Sequence, residues 1–75
     1  MLQKRQIKEL EEQFNLYSYL ASLYNNKGNY LEFSKNISKM WALKNALYTL
    51  GYTIKRKKQE EERGIKYYYY EFVKE

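Results

Sequence analysis

The sequence predicts an α+β fold in which an antiparallel two-helix hairpin is followed by a C-terminal β-hairpin, in the order α-α-β-β. Three observations carry the prediction. Apolar residues recur every three or four positions as far as Leu50, the pattern changes to alternation from Tyr52, and polar breaks containing glycine separate the segments. The 75 residues make one domain, 1–75, with helices over 3–25 and 30–50 and strands over 52–58 and 65–73.

The second helix organises the rest. Phe33, Ile37, Met40, Leu43, Leu47 and Leu50 form one stripe. Asn29 is placed to cap the first free amides with Glu32 as its capping-box partner, and Gly51 suits the left-handed turn that ends a helix. The periodicity reads as one long helix, with a helix-turn-helix inside 30–50 left open. Trp41 lies one step off this stripe, at the edge of the shared core or exposed as a binding anchor.

In the first helix, Ile7, Leu10, Phe14, Tyr17, Ala21 and Tyr24 form a comparable stripe. Leu16, Leu20 and Leu23 widen it, so its C-terminal end is expected to be fully buried. Lys4 and Arg5 oppose the helix dipole, as a solvated terminus or an anion contact. Asn25, Asn26, Lys27 and Gly28 supply the turn that returns the second helix antiparallel.

Beyond Gly51, YTIKRKK and IKYYYYEFV are rich in strand formers, and QEEERG between them reads as the hairpin loop. One face of the second strand carries Ile65, Tyr67, Tyr69 and Val73, interrupted by Glu71. The other carries Lys66, Tyr68, Tyr70 and Phe72. Two strands do not stand alone in water, so one face must lie on the helices, and the pattern leaves open which. Lys55 to Lys58 are basic and Glu60 to Glu62 acidic, and such a hairpin can pair with itself across its strands.

Composition excludes several classes of function. With no His, Cys or Asp, the commonest general bases, thiol nucleophiles and metal ligands are missing, and there is no glycine-rich phosphate loop. No enzymatic activity, cofactor or metal is expected. No run is apolar enough to span a bilayer, and MLQKRQIKELEE lacks the apolar centre of a signal peptide, so a cytoplasmic location without membrane contact is expected. A core of this size barely offsets chain entropy, and neither disulfide nor zinc is available to help. A homodimer whose paired helical stripes complete a four-helix core is one remedy.

A net charge of +5, from 14 Lys and Arg against 9 acidic residues, suits anionic partners and also simply keeps a protein soluble. The hairpin is both basic and aromatic. Lys55, Arg56, Lys57, Lys58 and Lys66 with Tyr68, Tyr70 and Phe72 are the candidate partner-binding residues, because cations neutralise phosphate while aromatic rings stack on bases or anchor protein interfaces. Lys35, Lys39, Lys44 and Asn45 on the second helix are candidate nucleic-acid contacts.

Two resemblances add to this. The chain is rich in Ile, Asn, Lys and Tyr and poor in Gly, Ala, Arg and Pro, a bias towards AT-rich codons. Together with the run MWALKNALYTLGY, this resembles small proteins of bacteriophages, prophages and plasmids, including anti-CRISPR and other anti-defence proteins. That resemblance implies a binding protein that blocks a host protein or nucleoprotein complex in the bacterial cytoplasm. Separately, a helix ending in LGY followed by a basic strand, a turn and a second strand resembles the recognition helix and wing of winged helix-turn-helix proteins. It implies a DNA- or RNA-binding regulator with Lys39, Lys44 and Asn45 at the major groove and Arg56 to Lys58 on the backbone. Glu60 to Glu62 at the tip depart from that family, because phosphates repel them. Sequestration of a small nucleotide by Tyr and Lys side chains is a third reading.

Overall fold

The computed structural model describes residues 3–75: α1 (Lys4–Asn26), α2 (Tyr30–Thr49), β1 (Tyr52–Glu62) and β2 (Ile65–Lys74), the strands antiparallel. The α+β order is the one that periodicity predicts. No helix among the described residues is long and apolar enough to cross a membrane.

Local chemistry sets the helix ends. At the start of α1, the Gln3 N–H donates to Gln6 Oε1 at 2.8 Å. Lys4 and Arg5 are exposed, and Arg5 reaches only Glu9, at 4.0 Å. Asn25 and Asn26 stay helical, so the turn is confined to Lys27, Gly28 and Asn29. Asn29 Oδ1 accepts the Glu32 N–H at 3.3 Å, but the Glu32 carboxylate turns to Lys35, also at 3.3 Å, leaving the predicted capping box half formed. α2 then runs unbroken to Thr49, so residues 30–50 contain no helix-turn-helix. Gly51 ends it at φ 86°.

The hairpin is longer and tighter than expected. β1 continues past Lys58 through Glu62, and only Arg63 and Gly64 remain as the turn, at φ 53° and 81°. Two successive positive φ values suit a two-residue type I′ turn, which matches the twist of the strands. Both charge runs therefore lie in line on β1. Lys55 faces Glu71 and Arg56 faces Tyr70, while Glu60 faces Tyr67 and Glu62 faces Ile65, so the expected pairing of the basic run with the acidic run across the strands does not occur, and the two runs meet along β1, where Lys58 binds Glu60. Lys57 has no partner on β2; it is the extra residue of a bulge between Arg56 and Lys58. A Cβ on Gly64 would meet nothing within 4 Å. Gly64→Val should therefore cost about 1–2 kcal/mol from backbone strain alone, whereas Arg63→Asn, better suited to positive φ, should raise the melting temperature. Thermal unfolding followed by circular dichroism checks both.

The core gathers where α1, α2 and the sheet meet. Phe14, Leu47 and Phe72 are buried, with Ile7, Leu10, Met40, Leu43, Tyr52, Ile54 and Tyr70 half-buried around them. Phe14 meets Tyr70 and Phe72 edge-on, at 5.3 and 5.6 Å between centroids, which is the favoured geometry for aromatic quadrupoles. The sheet face on the helices is therefore that of Ile54, Tyr70 and Phe72. Tyr70 and Phe72, expected as partner contacts, belong to the core. Leu16 and Leu50 depart from their predicted stripes and are exposed, and Leu20, Leu23 and Tyr24 are only half-buried. α1 has neighbours on two sides only, so its third side stays in water.

A second stripe on α1 closes the sheet. Glu11, Asn15 and Ser18, spaced i, i+4 and i+7, lie along the outer edge of β2. Glu11 Oε2 accepts the Phe72 N–H at 3.0 Å, and Asn15 Oδ1 accepts the Tyr70 N–H at 2.7 Å. Asn15 Nδ2 donates to the Tyr70 carbonyl at 2.9 Å, and Ser18 Oγ to the Tyr68 carbonyl at 2.8 Å. Free strand edges otherwise invite further pairing. On β2, side chains of α1 take the place of a third strand.

Candidate partner-binding groove

α2 has two working faces, and the sequence stripe captured one. Tyr30, Ile37, Trp41, Lys44 and Tyr48, at spacings of seven, four, three and four, share a second face of the helix. That spacing was the available signal for it. The lysine in its middle breaks the apolar pattern, which is why the stripe does not stand out.

This second face looks across a groove at the hairpin. A cavity of about 240 Å³ lies between them, with Phe14, Ile37, Met40, Ile54 and Tyr70 as its apolar lining and Trp41 and Lys44 at its mouth. A neighbouring hollow of about 180 Å³ shares Ile37, Met40 and Tyr70 and carries the groove on towards Phe33, Ala21 and Tyr68. α2 meets the sheet less closely than α1 does, so α1 forms the vertex of an open wedge.

A cation lies over aromatic faces on each side of the groove, Lys44 in its lining and Arg56 beside it on the hairpin. Lys44 Nζ sits 5.6 Å from the Trp41 ring centre and 5.5 Å from that of Tyr48. On the hairpin side the Arg56 guanidinium stacks 3.8 Å from the centre of the Tyr68 ring. Neither cation forms an ion pair among the described residues. Trp41 is 59% exposed on the rim of the groove, so of the two placements the sequence left open it is not the one at the core edge. An indole of that size left in water is the kind of side chain that concentrates binding energy at interfaces.

The other predicted contacts scatter. Lys55 and Lys58 project from the sheet face away from the helices, Lys57 is on the bulge, and Lys66 is exposed opposite Glu61. Lys58 is bound to Glu60 at 2.7 Å; that hydrogen bond first, and the carboxylate charge second, hold its ammonium above the ordinary lysine value. On the same face, burial first and then the charges of Glu62 and Glu60 push the Tyr67 phenol up. Lys35 pairs with Glu32, and Lys39 lies over Tyr17 of α1 at 5.4 Å. Lys44 is nine residues from Lys35, half a turn out of phase, while Asn45 lies about 80° from Lys35 on the side away from Lys39. Lys35, Lys39, Lys44 and Asn45 therefore form no common surface.

The groove holds no hydrogen-bonding machinery in its floor. Asn15, Ser18 and Asn36 are buried but spend their polar atoms on backbone groups, and no buried side-chain nitrogen or oxygen among the described residues lacks a partner. No cluster of metal-binding side chains occurs among these residues either. What the groove offers is an apolar slot with cations at its rim. No family model, curated protein or solved structure matches the chain.

Proposed function

We propose that this is a non-catalytic binding protein that works by occupying a surface of a protein partner, with the groove between α2 and the hairpin as its contact site. The observation that supports this most is the apolar slot flanked by Trp41, Lys44 and the stacked pair Arg56–Tyr68. A bulky apolar side chain with carboxylates beside it satisfies such a slot. The polar edge of a nucleobase would lose its hydrogen bonds against Phe14, Ile37, Met40 and Ile54, a loss of about 1–3 kcal/mol for each orphaned group. The resemblance to small phage proteins supplies the biological setting. There the partner is a host protein or nucleoprotein complex in the bacterial cytoplasm, and occupying its surface inhibits it.

A pull-down from bacterial lysate, with and without nuclease, tests this reading. One discrete protein should be recovered in both arms. Nucleic acid released by modest salt, with no protein surviving nuclease, would instead favour the nucleic-acid regulator, whose support is the charge of +5 and the exposed Trp41 and Tyr48 rings. Against the recovered partner, Trp41→Ala should weaken binding by about 30-fold or more, the scale of an aromatic anchor. Because Trp41 is largely exposed, stability should move by only about 0.5 kcal/mol. Unchanged affinity would remove the groove from the interface.

A further inference from the structure

The two edges of the sheet are treated differently. α1 closes the β2 edge with Glu11, Asn15 and Ser18, whereas β1 from Lys55 to Glu62 is exposed apart from half-buried Glu60, and no side chain among the described residues bonds the backbone of its outer edge. The residues that point their N–H and C=O outwards follow from the register. Glu62 and Ile65 close the turn, so Glu62, Glu60 and Lys58 bond inwards and Glu61 and Gln59 outwards; beyond the bulge, Lys55 bonds inwards and Arg56 outwards.

We propose that β1 is the interface with a second copy of this chain, the two outer edges pairing antiparallel about Gln59 to make a four-stranded sheet. Charge specifies that occupant. With Gln59 of each copy on the two-fold axis, Lys58 stands opposite Glu60 of the other copy. Counting on past the bulged Lys57, Arg56 stands opposite Glu61 and Lys55 opposite Glu62. The bulge does two things here. It absorbs the fourth cation, which has no acidic counterpart, and it brings outward-bonding Arg56 level with outward-bonding Glu61. Each pair also shares a sheet face, Lys58 and Glu60 on one side, Arg56 and Glu61 on the other.

The same features exclude other strands. A lysine-rich, bulged edge repels an arbitrary strand, and only one carrying the complementary acidic run in this register is favoured. Because α1 covers the β2 edges, pairing stops at two copies and does not propagate into a fibre. This interface differs from a four-helix dimer and does not use the Trp41 stripe; Arg56 belongs both to it and to the groove rim, so the acidic-run variant is the arm that tests the dimer apart from the groove.

The test is the oligomeric state by sedimentation equilibrium. Wild-type protein should be a dimer that dissociates as salt rises. The triple variant Glu60→Lys, Glu61→Lys, Glu62→Lys should weaken self-association by about a hundredfold or more, as should Lys55→Glu, Arg56→Glu, Lys58→Glu, because each turns six attractive cross-strand pairs repulsive. An equimolar mixture of the two variants should recover the dimer. Lys57→Glu should have the smallest effect of the single reversals in the basic run. A wild-type monomer at all concentrations, variants that dimerise as tightly as wild type, or folded variants that fail to recombine would each overturn the proposal. Circular dichroism establishes that the variants are folded.

Discussion

Phe14→Ala should leave the isolated chain unfolded at 25 °C. Phe14 is 4% exposed and ties α1 to the rest of the core: it meets Phe72 and Tyr70 of β2 edge-on and shares the buried cluster with Leu47 of α2. Truncating a buried phenylalanine costs about 3–5 kcal/mol, part of it lost burial and part the cavity left behind. A single core in a chain of this size supplies only ~3–5 kcal/mol in total. The substitution therefore removes about as much as there is. Far-UV circular dichroism with urea titration measures it, and a cooperative transition with an undiminished midpoint would mean that Phe14 does not hold the core together. Phe14→Leu, which keeps most of the volume, should stay folded and lose less.

Asn15→Leu should destabilise nearly as much, although it adds apolar surface to a buried site. Asn15 acts as a piece of backbone: its Oδ1 accepts the Tyr70 N–H at 2.7 Å while its Nδ2 donates to the Tyr70 carbonyl at 2.9 Å. The second Nδ2 hydrogen goes to the Glu11 carbonyl at 2.9 Å, so both donors of the amide are used. Leucine would fill the space and strand both Tyr70 groups, at about 1–3 kcal/mol each. Asn15→Asp keeps the acceptor and loses the donor, so at neutral pH it should fall between wild type and Asn15→Leu. Ser18→Ala, which removes a single bond to Tyr68, should cost about 1 kcal/mol. Equal stability for Asn15→Leu and wild type would mean that water reaches this edge. In that case the closure of the sheet by α1 is not energetically important.

The polar stripe on α1 marks where reading the sequence stops being sufficient. Glu11, Asn15 and Ser18 are regularly spaced, but a helix exposes polar residues at that spacing in any case. Their role depends on a strand edge distant in sequence, bonded to Asn15 at a separation of 55 residues. Trp41 is ambiguous in the sequence for the converse reason. A large apolar residue near a stripe is most often core, and only the open wedge between α2 and the hairpin leaves it in water. The tyrosine run was ambiguous because both faces of β2 are aromatic, so alternation alone gave no preference. The acidic tip was misplaced because QEEERG has loop composition, whereas the turn needs only the two residues that accept positive φ, Arg63 and Gly64.

What the sequence determined by itself is local: the two helices from their periodicity, their ends at Asn29 and Gly51, the change to strand after Gly51, and the α-α-β-β order. These follow from hydrogen bonds and side-chain spacing within a few residues, which any stretch of chain carries with it. The tertiary structure decided which hairpin face is buried, which strand edge α1 closes, and which edge and groove remain open. Those outcomes depend on the fit of Phe14 against Tyr70 and Phe72 and of Asn15 against Tyr70. Packing and edge hydrogen bonds between distant segments have no signature in spacing, because they are properties of two surfaces meeting.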